Sequence, residues 1–354
     1  MKVAIDISPL GDKRILGHSV RGSGYYIENL KNSLIKNFGE ENFIFFSKGE
    51  KINKKYNLIH YPYFEPFFLT LPLNLQNKTV VTVHDLTPFV FPEYFPAGLK
   101  GNLKWNIQKR NLKKASAIIT DSLSSKKDIV KFTGINESKI HVVYLAASSV
   151  YRPAKNEIKI QEIRKKYELP EKFVLYVGDA TRNKNLVNLI TACEKANVLL
   201  VMVGKALVEK NFDHSNLWNK DLAEVQRLSE KSTKIKRLGF IPNEDLPFLY
   251  NLATLFAIPS YYEGFGLPVL EAMQSGTPVV TTKGGSIPEV GGEAALYVNP
   301  DDSNDIAAAI RKVYEDKALQ ALLSKKGLDQ AKKFSWDITA KETERVYEKA
   351  FDGK

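Results

Sequence analysis

The chain has 354 residues, enough for two domains of ordinary size. Its 44% hydrophobic and 26% charged residues fit a soluble globular protein and exclude a disordered or fibrous one. The net charge of +11 is unevenly spread: residues 1–155 hold 23 Lys and Arg against 12 Asp and Glu, whereas residues 156–354 hold 28 of each.

The N-terminal excess is either a set of solvated lysines or a face for something anionic, such as a membrane surface or a lipid diphosphate. Nucleic acid ranks last, because zinc-finger spacing, an aromatic RNA-binding signature and a basic tract are missing. The start, MKVAIDIS, has neither the long apolar region nor the cleavage site of a secretory signal. No run approaches the roughly 20 apolar residues of a spanning helix; the longest, 64–75, carries Glu65 and is broken by Pro66 and Pro72. A lone cysteine, Cys193, cannot form an internal disulfide, which favours the cytoplasm.

In chain order, short apolar runs at 3–7, 43–46, 58–61, 79–83 and 117–120 read as buried strands, with amphipathic helical patterns at 24–36 and 99–114 between them. A second set follows at 173–177, 198–203, 235–238, 255–258, 278–281 and 295–298. Continuous apolar strands separated by helices predict parallel sheets covered on both faces. The fold class is therefore α/β, with two doubly wound Rossmann-like domains facing a central cleft. The expected boundaries are 1–153 for an N-terminal, acceptor-side domain and 154–335 for a C-terminal domain. A final helix, about 336–354, is expected to pack back on the first.

In such sheets ligands bind beyond the carboxyl ends of the strands, so the strand-end loops are where chemistry is sought. The first carries Arg21-Gly22-Ser23-Gly24 ahead of a helix beginning near Tyr25. Glycines there let backbone amides approach an anion, although an ordinary loop-to-helix turn has the same appearance. After the strand at 79–83 come His84 and Asp85, readable as a buried satisfied histidine or as a group facing the cleft. The most informative loop is Ser260-Tyr-Tyr-Glu263-Gly-Phe-Gly-Leu-Pro268-Val-Leu-Glu271-Ala-Met-Gln-Ser-Gly276. Pro268 suits a helix start and Gly276 its end, which puts Glu263 in the preceding loop and Glu271 on the first turn. Two carboxylates, a glycine loop and a positive helix end suit a ligand bearing both hydroxyls and phosphates.

This segment resembles the E-x7-E signature of the family-4 retaining glycosyltransferases, which have the GT-B fold. Thr82-Val-His84-Asp85-Leu86 with Phe91-Pro-Glu93 is similar to the N-domain of their mannosyltransferase-like members. Residues 235–240, 246–250, 259–271, 276–280 and 288–290 match in order and spacing through the C-domain. The matches cover most of residues 3–350.

The resemblance implies a hexosyltransferase, with mannose the favoured sugar, drawing on a nucleoside-diphosphate sugar and acting on a glycan or lipid-linked glycan in cell-surface polysaccharide synthesis. A glucosyl or other hexosyl transfer to a soluble or lipid acceptor, or a non-catalytic sugar-nucleotide binder, are the alternatives. Glu263 would hold the donor sugar, and Phe265, Gly266 and Leu267 would meet sugar and diphosphate. Glu271 would bind the ribose, and Phe240 and Ile241 the nucleobase. Gly22 and Gly24 would approach the diphosphate, as would Gly178, and His84 would contact the sugar. Lys184 matches the family's phosphate-binding lysine. Its usual arginine position holds Asp179, so Arg182 is expected to substitute. Catalysis would rest on Glu263, His84 and Lys184, with no metal and no cofactor; no Asp-x-Asp motif occurs. An enzyme of this kind would work in the cytoplasm, touching the inner face of an anionic membrane through Lys100, Lys104, Lys109, Arg110, Lys113 and Lys114 on one helix, or using that helix as ordinary core packing.

Overall fold

The computed structural model describes residues 1–11, 22–52, 55–75 and 78–353. Arg21, one of the predicted loop residues, lies outside them. Two compact units are present: residues 1–90, 97–146 and 334–354 form the first, and Phe91–Pro96 with Ala147–Lys333 form the second.

The first unit is built on six parallel strands: β1 (Val3–Asp6), β2 (Phe43–Phe46), β3 (Leu58–Tyr61), β4 (Lys78–Thr82), β5 (Ala117–Thr120) and β6 (Ile140–Val142). Their order in the sheet is β2-β1-β3-β4-β5-β6. Strands such as β5, AIIT, are buried at every position, as the middle of a sheet covered on both faces requires. β6 went unpredicted because it is three residues long with His141 at its centre. Helix ends follow ordinary capping: Ser122 Oγ accepts from the Ser125 amide at 3.0 Å, starting Leu123–Thr133, and Gly134 at φ +69° closes it.

The helix Trp336–Asp352 belongs to this unit and packs on the helix Gly22–Phe38 and on β4 and β5. Ser335 caps its start. Asp337 beyond the cap accepts from Lys36 at 2.8 Å, near the positive end of the helix dipole. Inside, the Tyr347 hydroxyl meets His60 Nδ1 at 2.7 Å, and His60 Nε2 meets Thr82 Oγ1 at 2.8 Å. Burial pushes the His60 pKa down to about 3, so the ring stays neutral and both nitrogens are satisfied by hydroxyls.

The second unit carries β7 (Val174–Val177), β8 (Leu200–Val203), β9 (Ile235–Arg237), β10 (Leu255–Ile258), β11 (Val279–Thr281) and β12 (Ala295–Tyr297). All pair in parallel, in the order β12-β11-β10-β7-β8-β9. Phe91–Pro96, which the sequence reading assigns to the N-terminal domain, belongs with this unit: Phe91 meets the Tyr262 ring edge-on at 6.4 Å and Phe95 meets Trp218 at 5.0 Å. Among the described residues, no helix is long and apolar enough to cross a membrane.

Candidate active site

In the second unit the strand order reverses at β7, which has β8 on one side and β10 on the other. Loops leaving β7 and β10 therefore diverge at the switch point, where a doubly wound sheet opens a crevice for a ligand. Those two loops carry Lys184 and Glu263.

The β7 loop runs through Gly178 into a short 3-10 turn, Arg182–Lys184. Asn185 follows at φ +57°, a left-handed conformation that asparagine tolerates better than most residues. Its side-chain amide donates to the Pro259 carbonyl at 2.9 Å and to that of Pro300 at 2.7 Å. Asn183 accepts from the Tyr261 amide at 2.8 Å through its carbonyl and donates to the Tyr262 carbonyl at 3.1 Å. The two asparagines thus fasten the β10 loop to the β7 loop, and the side chains that follow are set by that junction.

Lys184 Nζ lies 2.6 Å from Glu263 Oε2, and Ser260 Oγ donates to Glu263 Oε1 at 2.6 Å. Glu263 is buried, and the lysine side chain is only 19% exposed. A pair so far out of water is sustained by its mutual bonds, and removing one partner would strand the other charge. From the opposite side, the Glu263 carbonyl accepts from the Ser286 amide at 3.0 Å and from its hydroxyl at 2.9 Å. The loop after β11 can come this close because it carries two glycines, Gly284 and Gly285. A Cβ on Gly284 would lie 2.1 Å from the Tyr261 carbonyl oxygen, and one on Gly285, at φ +62°, 2.3 Å from that of Glu263. Only glycine fits either place.

Past Glu263 the backbone turns at Gly266, φ +95°, into the helix Leu267–Gln274, with Pro268 in its first turn. Pro268 has no N–H and the Val269 amide donates to the Gly266 carbonyl at 3.0 Å, so this helix start offers an anion the Leu267 amide and the positive end of the dipole. Gly276, φ +78°, follows the helix end as the sequence predicts. Glu271 stands one turn further in than expected: with the helix starting at Leu267, it is the fifth residue and falls in the second turn. Its Oε2 accepts from the fully buried Tyr250 hydroxyl at 2.8 Å. Ile241 is buried and Phe240 is 58% exposed in the loop following β9.

Arg182, expected to meet phosphate, has two aromatic rings and a carboxylate as neighbours within the chain. Its guanidinium lies 4.8 Å from the Tyr94 ring centre and 4.9 Å from that of Tyr261, with Asp221 at 3.7 Å. Cation–π contact with Arg182 holds Tyr94, and with it Phe91–Pro96, on this unit.

In the first unit, Gly22, Ser23 and Gly24 form the first turn of the helix Gly22–Phe38 rather than a loop ahead of it. Gly24 is buried, and a Cβ there would touch Leu10 at 3.9 Å; Gly22 is exposed. His84, just past β4, donates from Nδ1 to Asp121 Oδ2 at 2.7 Å. Burial alone would lower the His84 pKa, but the opposing fields of Asp121, Asp85 and Glu65 outweigh it and hold it above the ordinary value. Among the described residues no group of three or more His, Cys, Asp or Glu is placed to hold a metal.

Two family models divide the chain between them: Glycosyltransferase Family 4 matches residues 22–147, and Glycosyl transferases group 1 matches residues 159–330. The O-antigen chain mannosyltransferase B of Escherichia coli is 32% identical over 338 residues, spanning 91% of this chain and 86% of that protein. The chain belongs to the family-4 glycosyltransferases. Solved structures agree on the fold. Sucrose-phosphate synthase from Thermosynechococcus elongatus superposes over 100% of both chains with a TM-score of 0.75 at 20% identity. Anabaena HepE in complex with UDP and glucose covers 98% of this chain and 99% of its own with a TM-score of 0.71 at 19% identity.

For this glycosyltransferase the sequence reading brought Lys184, Glu263 and the Gly266 turn to adjoining strand ends, and the structure unites them. It missed Asp121, Tyr250 and the pair Gly284-Gly285. Asp121 had a usable signal, since it ends an apolar strand as His84 does. The Gly-Gly pair in the loop after β11 had another. Tyr250 had none, lying within an apolar helix.

Proposed function

We propose that this glycosyltransferase moves a hexose, with mannose favoured, from a nucleoside-diphosphate sugar to a glycan or lipid-linked glycan acceptor during assembly of a cell-surface polysaccharide. Transfer proceeds with retention of anomeric configuration and without a metal. The observation that carries this reading is the buried Lys184–Glu263 pair beside the Gly266 helix start, at the point where the strand order reverses.

Breaking the bond to the leaving group develops negative charge on the β-phosphate and positive charge on the anomeric carbon. Lys184 has three donors, so Nζ can keep Glu263 and still meet phosphate oxygens. The Leu267 amide and the positive helix end add to it, and together they carry the charge that a metal ion carries in other transferases. Glu263 offsets the oxocarbenium-like carbon. Glu271, oriented by Tyr250, takes the ribose hydroxyls; the backbone at Phe240 and Ile241 reads the base. Gly178 allows backbone to approach the diphosphate. Mannose is favoured by the mannosyltransferase at 32% identity. A glucosyl transfer is the second reading, since the HepE structure holds UDP and glucose. Two measurements test the chemistry. Activity should survive EDTA, and NMR of the product should show the donor's anomeric configuration; a strict Mg²⁺ or Mn²⁺ requirement, or an inverted product, would sink the corresponding claim.

The acceptor side is proposed to touch an anionic membrane at the cytoplasmic face. The helix Gly98–Lys114 buries Trp105 and Leu112 but leaves Leu99 92% and Leu103 64% exposed among its lysines. Phe68, also exposed, carries Lys104 over its ring at 5.3 Å. Apolar side chains ringed by cations suit an anionic lipid surface. Co-sedimentation with vesicles rich in anionic lipid at low salt should pellet the protein, and neutral vesicles should not; equal recovery in both supernatants would contradict the membrane reading.

A further inference from the structure

His84 sits in an anionic corner of a unit whose overall charge is basic. The carboxylates of Asp121 at the end of β5, Asp85 next to it in sequence and Glu65 past β3 all act on its ring. On another side it meets the edge of Tyr26, ring centres 4.7 Å apart, and its own charge opposes protonation of His60. Asp121 is 3% exposed, and its Oδ2 takes the His84 Nδ1 proton at 2.7 Å. The other ring nitrogen, Nε2, has no accessible surface to speak of and no hydrogen bond within the chain. One end of the imidazole is therefore committed and the other is not.

We propose that Asp121 is a positioning residue for glycosyl transfer: it pins the Nδ1 proton of His84, so that only Nε2 gains or loses a proton and only Nε2 is left to bond a sugar hydroxyl. The inference rests on the reading of His84 as a sugar contact given above. It follows from the two nitrogens being distinct, since a carboxylate on Nδ1 selects one tautomer and holds the ring plane. It also names the ligand class at this corner. The charges of Asp121 and Asp85 near the ring disfavour a phosphate, while burial pushes Glu65 up to about 7; a hydroxyl, by contrast, can donate to Nε2 when it is bare and accept from it when it is protonated. A diphosphate is therefore not the ligand of this corner.

Asp121→Asn keeps the shape and a hydrogen-bonding group but removes the charge that selects the tautomer. Turnover should fall roughly 100-fold, on the scale of a misaligned reacting group, with thermal unfolding little changed. The decisive comparison is the cycle with His84→Ala. If Asp121 acts through His84, Asp121→Asn should cost nothing further in the His84→Ala background; the same loss in both backgrounds would make Asp121 merely structural and overturn the proposal. A near-normal His84→Ala enzyme would instead remove His84 from the reaction. A measurement on the unmodified protein stands independently of how the variants fold: ¹⁵N NMR of labelled histidine, above the His84 titration, should show Nδ1 protonated and Nε2 bare. The opposite tautomer, or an even mixture, would overturn the proposal.

Discussion

Glu263→Ala is expected to lower turnover by roughly 100-fold or more, equivalent to about 2.7 kcal/mol of transition-state stabilisation. The carboxylate is fixed from three directions, by Ser260, by Lys184 and through its backbone by Ser286. It cannot drift to follow a substrate. Such rigidity is of use only if the charge to be met appears in one place, as positive charge does on the anomeric carbon while the leaving group departs. Alanine also strands Lys184 in a mostly buried setting, so some stability will be lost with the activity. Glu263→Gln separates the two effects. It can still bond Ser260 and Lys184, so its unfolding temperature should stay near that of the parent, yet turnover should remain low because the charge is gone. Steady-state rates beside thermal unfolding curves of both variants decide the matter. Near-normal transfer by either would remove Glu263 from the reaction.

Lys184→Ala is expected to cost a similar factor, roughly 100-fold or more, but with a different signature. Lysine is assigned to the diphosphate, which both the donor and the nucleoside-diphosphate product possess. Its loss should therefore weaken the binding of free nucleoside diphosphate, measured by calorimetry, as well as slow the reaction. Glu263→Ala should leave that affinity unchanged or improve it, because the lysine is released from its partner. The two residues bond each other at 2.6 Å, so the double variant should lose much less than the two single losses combined. Equal nucleotide affinity in parent and Lys184→Ala would place the phosphate elsewhere.

The parts of this fold that were legible in sequence are those where burial dictates residue type at every position. β7, β8 and β10 are continuous apolar runs because both their faces are covered, and they stand out at once. β6, with three residues and a histidine, carries no such pattern. At the site, Glu263 and Gly266 were readable because a glycine turn and a helix start are local events. The bond between Glu263 and Lys184 joins residues far apart in the chain, and it depends on strand order, which periodicity does not encode. Asp121 and His84 meet for the same reason, as neighbours across β4 and β5. The contact between Arg182 and Tyr94 was illegible for a similar reason. Tyr94 comes from a segment that precedes its unit in the chain, and no spacing rule connects the two.

The central claim is that the Lys184–Glu263 site handles a nucleoside-diphosphate sugar, and a donor panel tests it most directly. The intact protein, with EDTA present, would be incubated with individual nucleotide sugars and candidate glycan acceptors while nucleoside diphosphate release is followed. One donor, with a mannose donor favoured, should release nucleoside diphosphate at a rate that rises with acceptor and is abolished in Glu263→Gln. Release from no donor, or release unaffected by that substitution, would contradict the account.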